Sequence, residues 1–163
     1  MIEKKDLYRL PWSMNDNPIA WVEITDVCNI HCEGCYRQRM TGHKKLDDIK
    51  EEILFFKKWR NPDNVSIAGG EPLVHQHILD VVSFVANNGI KPVVLTNGVA
   101  LKPELVRDLK KAGLFGFIIH IDSHQNRPEW NGKSEADLNQ LRQFYNDMVA
   151  EVGGLKVVFN STV

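Results

Sequence analysis

Apolar and polar positions along the chain alternate between two periods. Short runs rich in Val, Ile, Leu and Phe are each followed by a longer stretch whose apolar residues recur every three or four positions. The first run, residues 17–25 (NPIAWVEIT), reads as a strand. Residues 45–60 then place Leu46, Ile49, Ile53 and Phe56 on one helical face. A buried strand at 64–70 (NVSIAGG) stops at two glycines, and a helix over 76–89 is closed by Gly89. The third strand (KPVVLTNG, 91–98) tolerates Pro92 near its start, and the third helix (102–113) carries Pro103 in its first turn and Gly113 past its end. A fourth strand (FGFIIHIDS, 115–123) leads through a loop with Asn126, Pro128, Asn131 and Gly132 to a long helix from Ser134 to Val152. On that helix Leu138, Leu141, Phe144 and Met148 are expected to face the core. Residues 153–163 supply a fifth strand.

Near-continuous apolar strands, each followed by an amphipathic helix, predict an α/β fold with a parallel sheet covered by helices. Five βα units are visible, the fifth through its strand alone. An uncovered final parallel strand would be an exposed edge. The expectation is therefore an N-terminal extension over 1–16 and a core domain over 17–163 that is incomplete at its C-terminus, the first part of a longer barrel.

The chain's 163 residues suit one domain, and a formal net charge of −1 gives no basic field for nucleic acid. No apolar run approaches the roughly 20 residues that span a bilayer, and the charged N-terminus lacks a signal-peptide core. The three cysteines, Cys28, Cys32 and Cys35, lie together in the loop after the first strand. Such an odd cluster, without a secretory signal, argues against disulfides and for reduced thiols in the cytoplasm.

Functional groups of parallel α/β folds collect at the carboxyl ends of the strands. Those ends carry Thr25, Asp26 and the cysteines, then Gly69, Gly70, Glu71 and Pro72, then Thr96, Asn97 and Gly98. His120, Asp122 and Ser123 follow strand four, and Asn160, Ser161 and Thr162 strand five. Three thiolates can hold three corners of an iron–sulfur cluster and leave one iron open to an exogenous ligand. Zinc, with His31 or His43 as fourth ligand, competes for the same cysteines, although structural zinc sites favour C-x2-C pairs from two segments.

The run CNIHCEGC fits the C-x3-C-x2-C signature of the radical S-adenosylmethionine (SAM) enzymes, and GGEP at 69–72 resembles their second-strand motif. The resemblance covers about Trp21 to Val163 and implies a partial (β/α) TIM-like barrel, commonly of six strands, with a [4Fe–4S] cluster. It implies that SAM chelates the open iron and is cleaved reductively to a 5′-deoxyadenosyl radical that abstracts hydrogen from a substrate. Cys28, Cys32 and Cys35 would be the ligands. Gly69, Gly70 and Glu71 would approach the SAM amino group. Asn97, Asp122, Ser123 and Asn160 would be candidates for ribose and carboxylate contacts. Gly34 stands where this family often has an aromatic residue, and Tyr36 would take over the packing beside the adenine. The implied electron donor is a reduced flavodoxin or ferredoxin, for which the basic loop YRQRMTGHKK (36–45) offers a docking surface. Arg127 and Trp130 are expected in a loop above the barrel mouth, and His75 and His77 at the surface. His120 and Asp122 share strand parity, as a substrate-facing pair or a hydrogen-bonded core pair. The substrate would be a small molecule or peptide. A glycyl-radical-type activating enzyme is the alternative within the class, and an iron–sulfur or SAM-binding module without turnover the alternative outside it.

Overall fold

A computed structural model describes residues 18–35, 37 and 42–161. The alternating periods become five parallel strands, β1 (Ile19–Thr25), β3 (Asn64–Gly69), β4 (Lys91–Thr96), β5 (Gly116–His120) and β7 (Lys156–Asn160), paired in that order. Helices α1 (Leu46–Arg60), α2 (Ile78–Asn87), α3 (Pro103–Lys111) and α4 (Glu135–Val152) connect them. Two short strands, β2 (His31–Cys32) and β6 (Gln125–Asn126), pair antiparallel with each other, apart from the sheet. β1 and β7 are the edges and are not joined, so the sheet stays open.

The strands are long enough for each to put two or three side chains against the helices. Ala20, Val22 and Ile24 of β1, Val65 and Ile67 of β3, Val94 of β4, and Phe117 and Ile119 of β5 are buried in one core with Ile49 and Ile53 of α1. Val81, Val82 and Val85 of α2, Val106 and Leu109 of α3, and Leu138, Leu141 and Val149 of α4 complete it. Burial of this contiguous apolar surface is the main force holding the layers together. α1 begins with Asp47 and Asp48 and ends with Lys57, Lys58 and Arg60, each sign matched to the helix dipole. Ser134 and Asp137 form the reciprocal capping box that starts α4.

Three sequence expectations need correction. Phe144 is 56% exposed, and its neighbour Tyr145 takes the core position, because the helix face turned inward runs through Leu138, Leu141, Tyr145 and Val149. His75 is buried rather than superficial, for a hydrogen-bonding reason given below. A 3-10 turn at Pro72–Val74 precedes α2, which starts two residues later than the periodicity suggests. The expected 1–16 extension lies outside the described residues. No helix among the described residues is long and apolar enough to cross a membrane.

Candidate functional site

Parallel pairing brings the carboxyl ends of β1, β3, β4, β5 and β7 to one rim. At that rim a cavity of about 700 Å³ opens. Its wall includes all three cysteines, Gly69, Gly70, Asn97, Asp122 and Asn160. His120 also lines it. Of the other expected site residues, Glu71 is buried and does not reach the wall, Ser123 is exposed and off it, and Tyr36 lies outside the described residues.

The cysteine loop is seated by backbone. Thr25 ends β1, and its hydroxyl accepts from the Val27 N–H (3.0 Å) and meets His43 Nδ1 (2.9 Å). Gly70 N–H donates to Thr25 O (2.7 Å) and Glu71 N–H to Val27 O (2.9 Å), which lays the GGE turn directly against the start of the loop. A Cβ on Gly70 would stand 2.4 Å from Val27 O and 2.7 Å from Asp26 O, so this approach requires glycine. Further on, Cys32 pairs with Gln125 in the β2–β6 ribbon, and Glu33 N–H donates to His124 O (3.0 Å).

Glu71 is fully buried, and its carboxylate is committed within the protein. Oε1 accepts from Thr96 Oγ1 (2.7 Å) and Leu73 N–H (3.0 Å), while Oε2 accepts from Asn97 N–H (2.7 Å). Burial pushes its pKa up, against the pull of these three donors. The side chain thus ties the β3 turn to the end of β4. Asn97 receives that tie and extends it, since its Nδ2 donates to Asn29 Oδ1 (2.8 Å) and lies 3.7 Å from Cys28 Sγ.

On the opposite flank His120 sits between two partners. Nε2 meets Asp122 Oδ2 at 2.5 Å, and Nδ1 meets Asn160 Oδ1. Asp122 is buried behind the ring and also accepts from His124 N–H (2.8 Å). The hydrogen-bonded pair and the cavity-facing pair foreseen as alternatives are therefore one arrangement.

His75 owes its burial to full satisfaction of its ring. Nε2 meets Lys44 O (2.9 Å), and Nδ1 accepts from His77 N–H (3.1 Å). The ring pins the Gly42–Lys44 return segment to the turn after β3 and has no atom left for a metal. Arg37, the one described residue of the basic loop before Gly42, forms ion pairs with Glu23 (2.7 Å) and Asp26.

Cys28 and Cys32 are half-buried and Cys35 is exposed. Burial, then the charges of Cys28, Cys35 and Asp122, push Cys32 up to about 11. Burial likewise raises Cys28. Three thiols gathered on one cavity wall form a donor set suited to a sulfur-loving metal centre. Among the described residues no three His, Cys, Asp or Glu side chains are gathered closely enough to hold a single metal ion.

Sequence reasoning missed the β2–β6 ribbon and the part played by Gln125 and Arg127. Two-residue strands carry no readable periodicity. The available signal was the polar run HQNR directly after a strand that ends at the same rim.

Comparison with known proteins gives a consistent result. The Radical SAM superfamily profile matches residues 22–147. A GTP 3′,8-cyclase of Aquifex aeolicus is 30% identical over 156 residues, covering 87% of this chain and 46% of that protein. An AdoMet-dependent heme synthase of Methanosarcina barkeri is 32% identical over 108 residues, covering 64% of this chain and 30% of its own length. The chain thus spans less than half the length of these curated relatives. Among solved structures, Streptococcus suis SuiB bound to precursor peptide SuiA aligns with a TM-score of 0.65 at 18% identity, over 90% of this chain and 33% of that one. BtrN in complex with AdoMet and 2-DOIA gives 0.61 at 20% identity, over 90% and 58%. These likenesses carry the architecture, a partial (β/α) barrel of the radical SAM type.

Proposed function

The chain belongs to the radical SAM superfamily, and on that premise we propose that it is the barrel of an enzyme that generates a radical from SAM to attack a small molecule or peptide. The cofactors of the family are a [4Fe–4S] cluster and SAM. In this reading Cys28, Cys32 and Cys35 hold three irons, and the fourth stays open for SAM. When bound, the two cofactors supply one-electron cleavage of a sulfonium and a hydrogen-abstracting radical. The electron comes from a reduced flavodoxin or ferredoxin.

The observation that carries the proposal is the gathering of all three thiols and four strand ends on one cavity wall. The chain's own residues divide the remaining work. Gly69 and Gly70 line the cavity and lie so close to the backbone of Thr25, Asp26 and Val27 that a Cβ on either would collide with it, which leaves their backbone available for the SAM amino group. Asp122 and Asn160 offer a carboxylate and an amide for the polar groups of SAM. Glu71 keeps its proposed place as the counter-charge to the SAM amino group, and its oxygens also fix Leu73, Thr96 and Asn97 by three hydrogen bonds. Tyr36 retains its proposed place beside the adenine.

Anaerobic reconstitution, followed by dithionite and SAM, tests the reading by measuring iron, sulfide and 5′-deoxyadenosine together. The expected result is about four irons per chain and formation of deoxyadenosine. A cluster without deoxyadenosine would leave a binding module without turnover, and zinc without iron would overturn the reading. Cys32→Ala should lose the cluster, and full retention of iron would remove Cys32 from the ligand set.

A further inference from the structure

The loop after β5 holds a buried guanidinium for which the proposed chemistry has no direct use. Arg127 is 6% exposed, and no carboxylate lies among its hydrogen-bond partners. Its fork reaches three separate parts of the rim. Nη2 donates to Asn97 O (2.7 Å) at the end of β4 and to His120 O (3.0 Å) at the end of β5. Nε (3.1 Å) and Nη2 (2.8 Å) donate to Gln125 Oε1 on β6, and Nη1 meets the Tyr145 hydroxyl (3.3 Å) on α4.

Two of these contacts lead to cysteines. The Asn97 peptide is gripped on both sides, its N–H by Glu71 and its C=O by Arg127. The side chain it carries touches Asn29 and Cys28. Gln125, itself 2% exposed, is the ribbon partner of Cys32, and its Nε2 donates to His120 O (3.0 Å). One planar group thus connects the neighbour of Cys28 to the partner of Cys32. The geometry points to Arg127 as a positioning residue that fixes the separation of Cys28 and Cys32 across the cavity mouth. Several acceptors in different directions suit a rigid five-donor fork and not a flexible ammonium. The loop expected above the barrel mouth is in this respect a clamp on the cysteine loop.

The inference rests on reading the cysteines as cluster ligands, and its test has one arm that needs no cluster. Arg127→Lys keeps the charge and removes the fork. In the apo protein, hydrogen exchange at residues 31–33 and 125–126 should accelerate by about tenfold, while β3 and β4 keep their protection. In the reconstituted protein, the electron paramagnetic resonance signal of the reduced cluster should shift or broaden, and its response to SAM should change. Wild-type exchange in the ribbon, or a uniform loss across the whole sheet, would overturn the assignment. Should Arg127→Lys not fold, Gln125→Met removes the side chain linking Arg127 to β6 and should give the same local acceleration. Unchanged ribbon exchange in that variant would likewise overturn it. A wild-type protein that assembles no cluster would sink the proposed function and leave the exchange result to decide the clamp.

Discussion

The two flanks of the rim treat their polar side chains in opposite ways. Where β1, β3 and β4 end, Glu71 and His75 are 0% and 2% exposed, stand off the cavity wall and are hydrogen-bonded to neighbouring segments. Where β5 and β7 end, His120 and Asn160 are bonded to each other yet remain in the cavity wall. On the GGEP flank these two side chains brace the rim while Gly69, Gly70 and Asn97 line the cavity, and on the other flank His120 and Asn160 line it themselves.

The largest expected effect lies on the closed flank. Glu71→Ala would strand three buried donors on Leu73, Thr96 and Asn97 and should destabilise the fold by about 4 kcal/mol, read from urea unfolding. Near-wild-type stability would make the two flanks alike. Gly70→Ala should cost about 3 kcal/mol, because the new methyl meets backbone oxygens of Asp26 and Val27 rather than flexible side chains.

A smaller effect depends on pH. Burial lowers the pKa of His75 below its ordinary value of 6.5, with the nearby His43 and His77 adding to the shift. The unfolded chain therefore binds a proton that the native state refuses as pH falls below about 6.5, and stability falls with it. The expected loss between pH 7.5 and 5.5 is about 1 kcal/mol, and His75→Gln should flatten that slope. Asn160→Ala, on the open flank, should change stability by no more than about 0.5 kcal/mol. A large loss there would mean that the His120–Asn160 contact supports the fold as Glu71 does.

Much of the architecture was legible because burial writes a period into the chain. Strands β3, β4 and β5 and helices α2 and α3 follow their apolar patterns to within a few residues. The gathering of the cysteines and the paired glycines at one rim was legible because residue type and strand-end position agreed. The partners of buried polar groups were not legible. Glu71 reads from sequence as a ligand or a solvated acid, and only the position of Thr96 and Asn97 reveals that its charge is met internally. Phe144 and Tyr145 are adjacent and both aromatic, so a small difference in helix rotation decides which is buried. Gln125 and Arg127 acquire their roles from a ribbon whose two strands lie far apart in sequence.

That ribbon also sets an order of events during synthesis. Cys32 leaves the ribosome early, but its partner Gln125 follows only after three further strands and three helices. Closing so long a loop is slow and rewarded late. Until then the thiols belong to a nascent chain whose cysteine loop lacks its ribbon partner. Under the proposed function, cluster assembly that depends on this ribbon waits until Asn126 has been translated, by which time four strands of the sheet have emerged.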